Sequence, residues 1–221
     1  IPADADYFHC TSNNTIFGTQ MKEFPTTNIP VVCDMSSDIF SRQLDFTKFD
    51  IIYAGAQKNM GPAGTTLVVI KEEILGKNGR EIPSMLDYAK HIKAESMYNT
   101  PPVFPVYASL LTLQWLKKLG GIAAIEKINN AKAELLYNEI DRNPLFKGAA
   151  VVEDRSNMNA TFLLNNPEHA PIFDAMWKEA GISGLPGHRS VGGYRASMYN
   201  AMPIESVQVL VDVMQALEKA V

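Results

Sequence analysis

Short apolar runs open the chain and helical apolar stripes follow. Residues 7–10, 29–33 and 51–53 are brief apolar runs, and residues 65–70 are β-branched and apolar; all read as strands. Their apolarity is continuous rather than alternating, which predicts strands covered on both faces and so an α/β sheet. Residues 71–75 read as a helical turn, and 78–96 as a polar, irregular excursion. Asn99-Thr100-Pro101-Pro102 falls outside regular structure, because proline removes a donor and restricts the residue before it.

From 106 to 119 apolar residues recur at helical spacing (Leu110, Leu111, Leu113, Trp115, Leu116, Leu119), and Gly120-Gly121 stops the run. Residues 122–140 form a second amphipathic stretch with Ile125, Ile128, Ala131, Leu135 and Leu136. Beyond it, 149–152 and 159–164 read as strands, 170–180 as a helix and 192–198 as a strand. The last helix spans 205–220, with Val207, Leu210, Val211, Met214 and Leu217 on one face. Trp115 and Trp177 fall on these stripes and read as packing residues. The expected organisation is a partial sheet domain with a connecting helix over 1–125 and a small α+β domain over 126–221. No internal repeat or low-complexity segment is present.

Composition narrows the classes. The chain has 221 residues, 46% hydrophobic and 20% charged, an ordinary globular balance. A net charge of −4 offers no basic footprint for nucleic acid. The apolar runs are too short to span a bilayer, and no basic segment followed by an apolar stretch marks secretion. Cys10 and Cys33 make no disulfide framework; each reads as a buried free thiol, which suits a reducing cytoplasm. His9, His91 and His169 have no ligand-like spacing, so no metal site is expected.

The chemistry concentrates around Lys58. It ends the apolar run 49–54, and small residues and glycines follow at once: Ala54-Gly55-Ala56-Gln57-Lys58-Asn59-Met60-Gly61-Pro62-Ala63-Gly64. A lysine is seldom put where a buried strand meets a tight turn, because its charge is costly to desolvate. An amine with a depressed pKa can form a Schiff base. Upstream, Val31-Val32-Cys33-Asp34 ends another apolar run in a carboxylate. A Lys and an Asp at the ends of neighbouring strands suit pyridoxal phosphate (PLP), the amine holding the aldehyde carbon and the carboxylate pairing with the ring nitrogen. Position alone leaves open a solvated loop lysine and an aspartate that caps a turn.

Four blocks extend the pattern: residues 34–37 (Asp-Met-Ser-Ser), residues 52–64, Met97-Tyr98-Asn99-Thr100-Pro101-Pro102, and residues 187–203 with His188-Arg189 and Arg195. In these blocks and their order the chain resembles the phosphoserine aminotransferase family, class-V aminotransferases of PLP-dependent fold type I. The resemblance implies part of the large-domain sheet followed by the small C-terminal domain. It implies Lys58 as the catalytic lysine and Thr15, Asp34, Gln57, Asn99 and Thr100 as cofactor-binding residues, the last two across a homodimer interface. Thr15 closes Asn13-Asn14-Thr15, which also matches a glycosylation acceptor, set aside because nothing indicates secretion. Arg195 is implied to grip the substrate α-carboxylate, and His188 and Arg189 to line the pocket for its phosphate, since a guanidinium fork matches such groups.

The implied reaction exchanges an amino group between glutamate and 3-phosphohydroxypyruvate, in serine biosynthesis and in some bacteria pyridoxine biosynthesis. The resemblance sets Ile1 inside the family's large domain, so an N-terminal segment is expected to be missing and residues 1–221 alone are expected to turn over weakly or not at all. The alternatives are a non-catalytic C-terminal piece that binds a partner chain, and another small-substrate class-V enzyme of the alanine–glyoxylate type.

Overall fold

The computed structural model describes residues 1–77 and 79–221. The first part contains strands β1 (Phe8–Thr11), β2 (Asn13–Asn14), β3 (Thr19–Gln20), β4 (Val31–Asp34), β5 (Ile51–Gly55) and β6 (Thr66–Ile70). One sheet has the order β1-β4-β5-β6; β1, β4 and β5 run parallel and β6 returns antiparallel. β2 and β3 pair as a small hairpin. The register sets Cys10 beside Cys33 beside Ile52, and Thr11 beside Asp34 beside Tyr53.

The sheet is not covered equally on its two faces, contrary to the expectation from its apolar runs. Cys10, Val31, Cys33, Ile52 and Ala54 face a core completed by Met35, Ile39, Phe49 and Met60. On the other face His9 is exposed, and Val32, Asp34 and Tyr53 are only partly covered. Burial therefore alternates along β4 and β5, as the pleat dictates for strands with one buried face.

The helical turn expected at 71–75 is a single 3₁₀ turn, Glu72–Ile74. The excursion expected over 78–96 is more ordered than its polarity suggested; Asn78 itself lies outside the described residues. A 3₁₀ turn, Ser84–Leu86, leads into α1 (Tyr88–Lys93), and the Asp87 carboxylate caps that helix by accepting from Ala89 N at 3.0 Å. α2 (Val103–Lys118) is apolar on nearly every side, yet only Ser109 and Leu116 are buried on it. Trp115 is 40% exposed and so does not act as a packing residue, unlike Trp177. Gly120 and Gly121, both at positive φ, turn the chain into α3 (Gly121–Arg142). The division expected at 125/126 falls inside this continuous helix.

The second part holds β7 (Phe146–Gly148), β8 (Asn159–Leu164), α4 (Ala170–Glu179), β9 (Tyr194–Ser197) and α5 (Ile204–Ala220). Its sheet is antiparallel, β7-β8-β9. α3, α4 and α5 cover it around Leu136, Phe162, Phe173, Met214 and Leu217. The strand expected at 149–152 lies earlier, at β7. One bond, Ala149 N to Thr161 O at 3.0 Å, prolongs the ladder before the chain departs with Val151 and Val152 exposed. Among the described residues no helix is long and apolar enough to cross a membrane.

Candidate active site

Lys58 sits on a tight turn that leaves β5. Met60 N (3.1 Å) and Gly61 N (2.8 Å) both donate to Ala56 O, closing one helical turn around Lys58. Gly55 N donates to Ser36 Oγ at 3.1 Å, tying the turn to the end of β4. A Cβ on Gly55 would stand 2.5 Å from Gln57 Oε1, so the exposed Gln57 side chain folds back over its own strand end only because Gly55 has none. The next residue, Asn59, is buried: its Nδ2 donates to Ile39 O at 3.1 Å, and its Oδ1 accepts from Asn200 N at 3.0 Å. Lys58 is thus left half-buried on a rigid support. Burial pushes its amine below the ordinary lysine value; Arg195 pushes the same way, while Asp34 and Asp38 pull it back up.

Asp34 ends β4 on the open face. Its Oδ1 accepts from Ser36 N at 2.8 Å. Beside it, the Tyr53 phenol is raised by burial and then by Asp34, and its oxygen lies 2.9 Å from His9 Nε2. Asp38 has no exposed surface: it pairs with Arg42 Nη2 at 3.0 Å and accepts from Gln20 Nε2 at 3.2 Å and from Ser12 Oγ.

Arg195 reaches this region from β9. Its Nη1 donates to Thr15 O at 3.1 Å, so Thr15 contributes its backbone to the site. Arg195 Nε is buried and finds no partner among the described residues. The Thr15 carbonyl fixes one nitrogen of the guanidinium fork, the group whose planar geometry matches a carboxylate. The neighbouring loop is built on Gly187, where a Cβ would come within 2.1 Å of Gly192 O. His188 closes the loop through Ser190 N to Nδ1 (3.2 Å) and Gly192 N to its carbonyl (2.8 Å). Arg189 stands exposed at the tip, without an ion pair among the described residues.

The structure does not bring Asn99 and Thr100 to Lys58. Both are exposed, and Asn99 Nδ2 donates to Thr100 O at 3.1 Å. Asn99 lines a groove of about 620 Å³ with Gly64, Thr65, Met97, Val103 and Tyr107.

A family model for class-V aminotransferases matches residues 1–210. The chain belongs to the class-V aminotransferases. The phosphoserine aminotransferase of Flavobacterium johnsoniae is 86% identical over 221 residues, which is all of this chain and 62% of the relative. The solved phosphoserine aminotransferase from Bacillus circulans subsp. alkalophilus superposes with a TM-score of 0.95 at 43% identity, covering 100% of this chain and 62% of that one. A PLP-bound phosphoserine aminotransferase from Trichomonas vaginalis gives 0.91 at 37% identity, covering 97% and 61%. This chain therefore spans just over three-fifths of the length of the curated relative it matches. The α/β fold of type I expected from the sequence is the fold these structures share.

Several groups of this class-V aminotransferase went unread in the sequence. Asn13, the first residue of the acceptor-like triplet, is buried, with Nδ2 donating to Ser37 Oγ (2.8 Å) and Asn159 Oδ1 (2.9 Å). Asp38, Asn59, Asn129, Lys132 and Asn200 are likewise buried polar groups, and the bonds of Asn59, Asn129 and Asn200 join the two parts of the chain beside Lys58. One signal was available: Lys132 falls on the stripe of Ile125, Leu136 and Ile140, where a charge is out of place.

Proposed function

We propose that this chain carries the lysine-bearing part of a PLP-dependent phosphoserine aminotransferase acting on glutamate and 3-phosphohydroxypyruvate. The carrying observation is that Lys58, its amine lowered by burial, lies within electrostatic reach of both Asp34 and Arg195, although these come from three separate strand ends. The donor set fits the cofactor: an amine to hold an aldehyde, and a carboxylate at a strand end to face a protonated ring nitrogen. Bound PLP supplies an electron-withdrawing ring that stabilises charge on the carbon losing its proton. Lys58, freed once the substrate's amine takes its place on the aldehyde, would be the base that takes that proton, its amine lowered from the ordinary lysine value by burial. Arg195 holds the substrate carboxylate, and the Thr15 carbonyl fixes the guanidinium. Asp34, steadied by Ser36 N–H, keeps the ring nitrogen protonated. Gln57 of this chain, and Asn99 and Thr100 of a second copy, are assigned to the cofactor phosphate. The high identity to a protein named phosphoserine aminotransferase supports the reading.

His188 and Arg189 are assigned to the substrate phosphate. The uncommitted Arg189 favours a dianionic substrate over the alanine–glyoxylate type, which has no use for a second cationic anchor. Arg189→Leu should raise KM for the phosphorylated oxo acid about tenfold or more, roughly 1.4 kcal/mol of binding, and leave unphosphorylated oxo acids unaffected. An unchanged KM for the phosphorylated acid would sink this assignment. We also assign a second copy of the chain to the exposed apolar side of α2, where Val103, Phe104 and Tyr107 stand beside Asn99. Cys10 and Cys33, neighbours across two strands and both free, support a place in the reducing cytoplasm.

A further inference from the structure

We infer that Lys132 is a positioning residue for the candidate site: its buried ammonium ties down the chain that leaves β9 after Arg195, and that chain holds the turn bearing Lys58. The inference rests on reading Lys58 and Arg195 as one site. Lys132 lies in the middle of α3 with no exposed surface. Its Nζ donates to the carbonyls of Met198 (3.0 Å), Tyr199 (2.9 Å) and Met202 (3.0 Å). An ammonium has three donors, so all are used, and one group closes the whole 198–202 segment. Burial pushes the amine down to about 8. Among the described residues no charged side chain pairs with it; the three carbonyls stand where a counter-ion would. A helix face needing only bulk at this point is served more cheaply by Met or Leu, because an ammonium is costly to desolvate.

The other contacts of the segment say what is being held. Asn200 donates its backbone N–H to Asn59 Oδ1 at 3.0 Å and its Nδ2 to Phe40 O at 3.0 Å. Its Oδ1 accepts from Asn129 Nδ2 at 2.9 Å, and Asn129 lies one turn before Lys132 on α3. Asn59 directly follows Lys58, and Arg195 precedes Met198 on the same strand exit. The hydrogen bonds therefore run from one helix residue through one short segment to Asn59, beside Lys58, and the backbone of β9 joins the same segment to Arg195. Their separation is set from α3, not from the loops that carry them.

The test needs neither cofactor nor turnover, so it stands apart from the functional reading. Lys132→Met keeps most of the side chain's bulk and removes the three donors. In the folded variant, pH-dependent amine labelling read by mass spectrometry should show the Lys58 midpoint rising by about half a pH unit or more toward ordinary lysine. Amide exchange should quicken about tenfold at 57–61 and 198–202, with other segments unchanged. Asn200→Ala keeps Lys132 and removes only the side-chain links; it should move both readouts the same way by less, and it supplies the test should Lys132→Met not fold. A folded Lys132→Met or Asn200→Ala protein with the Lys58 midpoint and both exchange segments unchanged would overturn the inference.

Discussion

Lys58 loses part of its hydration on folding, and its amine moves down for that reason before any neighbour acts. The neighbours then act with opposite signs, which makes the arrangement testable residue by residue. Asp34→Asn removes an influence that raises the amine, so the labelling midpoint of Lys58 should fall further. Arg195→Leu removes one that lowers it, so the midpoint should rise. Equal or reversed shifts would contradict the proximity of the three groups. Asp38 makes a different prediction: its carboxylate is fully buried against Arg42, Gln20 and Ser12. Asp38→Ala leaves the Arg42 cation without its partner and should cost about 3 kcal/mol in urea denaturation. The strand-end places of Lys58 and Asp34 were legible in the sequence because each closes an apolar run, while the roles assigned to them came from the family resemblance. Asn59 and Asn200 were not, because asparagine is an ordinary turn former and their bond joins residues 141 positions apart.

At the scale of elements, α2 departs most from its sequence reading. Its apolar residues recur at helical spacing, but the helix is apolar all round, so periodicity could not say which face is buried. Phe104 is 73% exposed, and Val103 70%. Phe104→Glu should leave the fold intact and shift the sedimentation profile toward monomer; a profile unchanged from the parent would remove the dimer assignment. The loop before β9 depends on Gly187 in the same local way. Gly187→Ala would drive a methyl into the Gly192 carbonyl, so the loop presenting His188 and Arg189 must open. Its effect should appear as faster proteolysis at 186–193 with the core melting cooperatively. Strand β8 was legible to the residue; β7 lies earlier than expected because Phe146–Gly148 take the pairing with β8, and Val151 and Val152, for all their strand propensity, stand exposed beyond the last ladder bond.

At the scale of the whole molecule, two hydrophobic clusters face each other across a polar seam, and the candidate site lies along that seam. Apolar patterning anticipated the buried helix stripes of the second cluster, but for the sheet it predicted cover on both faces where one is buried. It could not anticipate the seam, whose asparagines and serines acquire partners only when the two parts meet. The central claim is that Lys58 is the group that holds the cofactor. The most direct measurement adds PLP to the purified protein, reduces it with borohydride and maps the modified peptide. The account predicts a single label on Lys58, abolished in Lys58→Ala and weakened in Asp34→Asn. A label spread over exposed lysines, unchanged in Lys58→Ala, would contradict it.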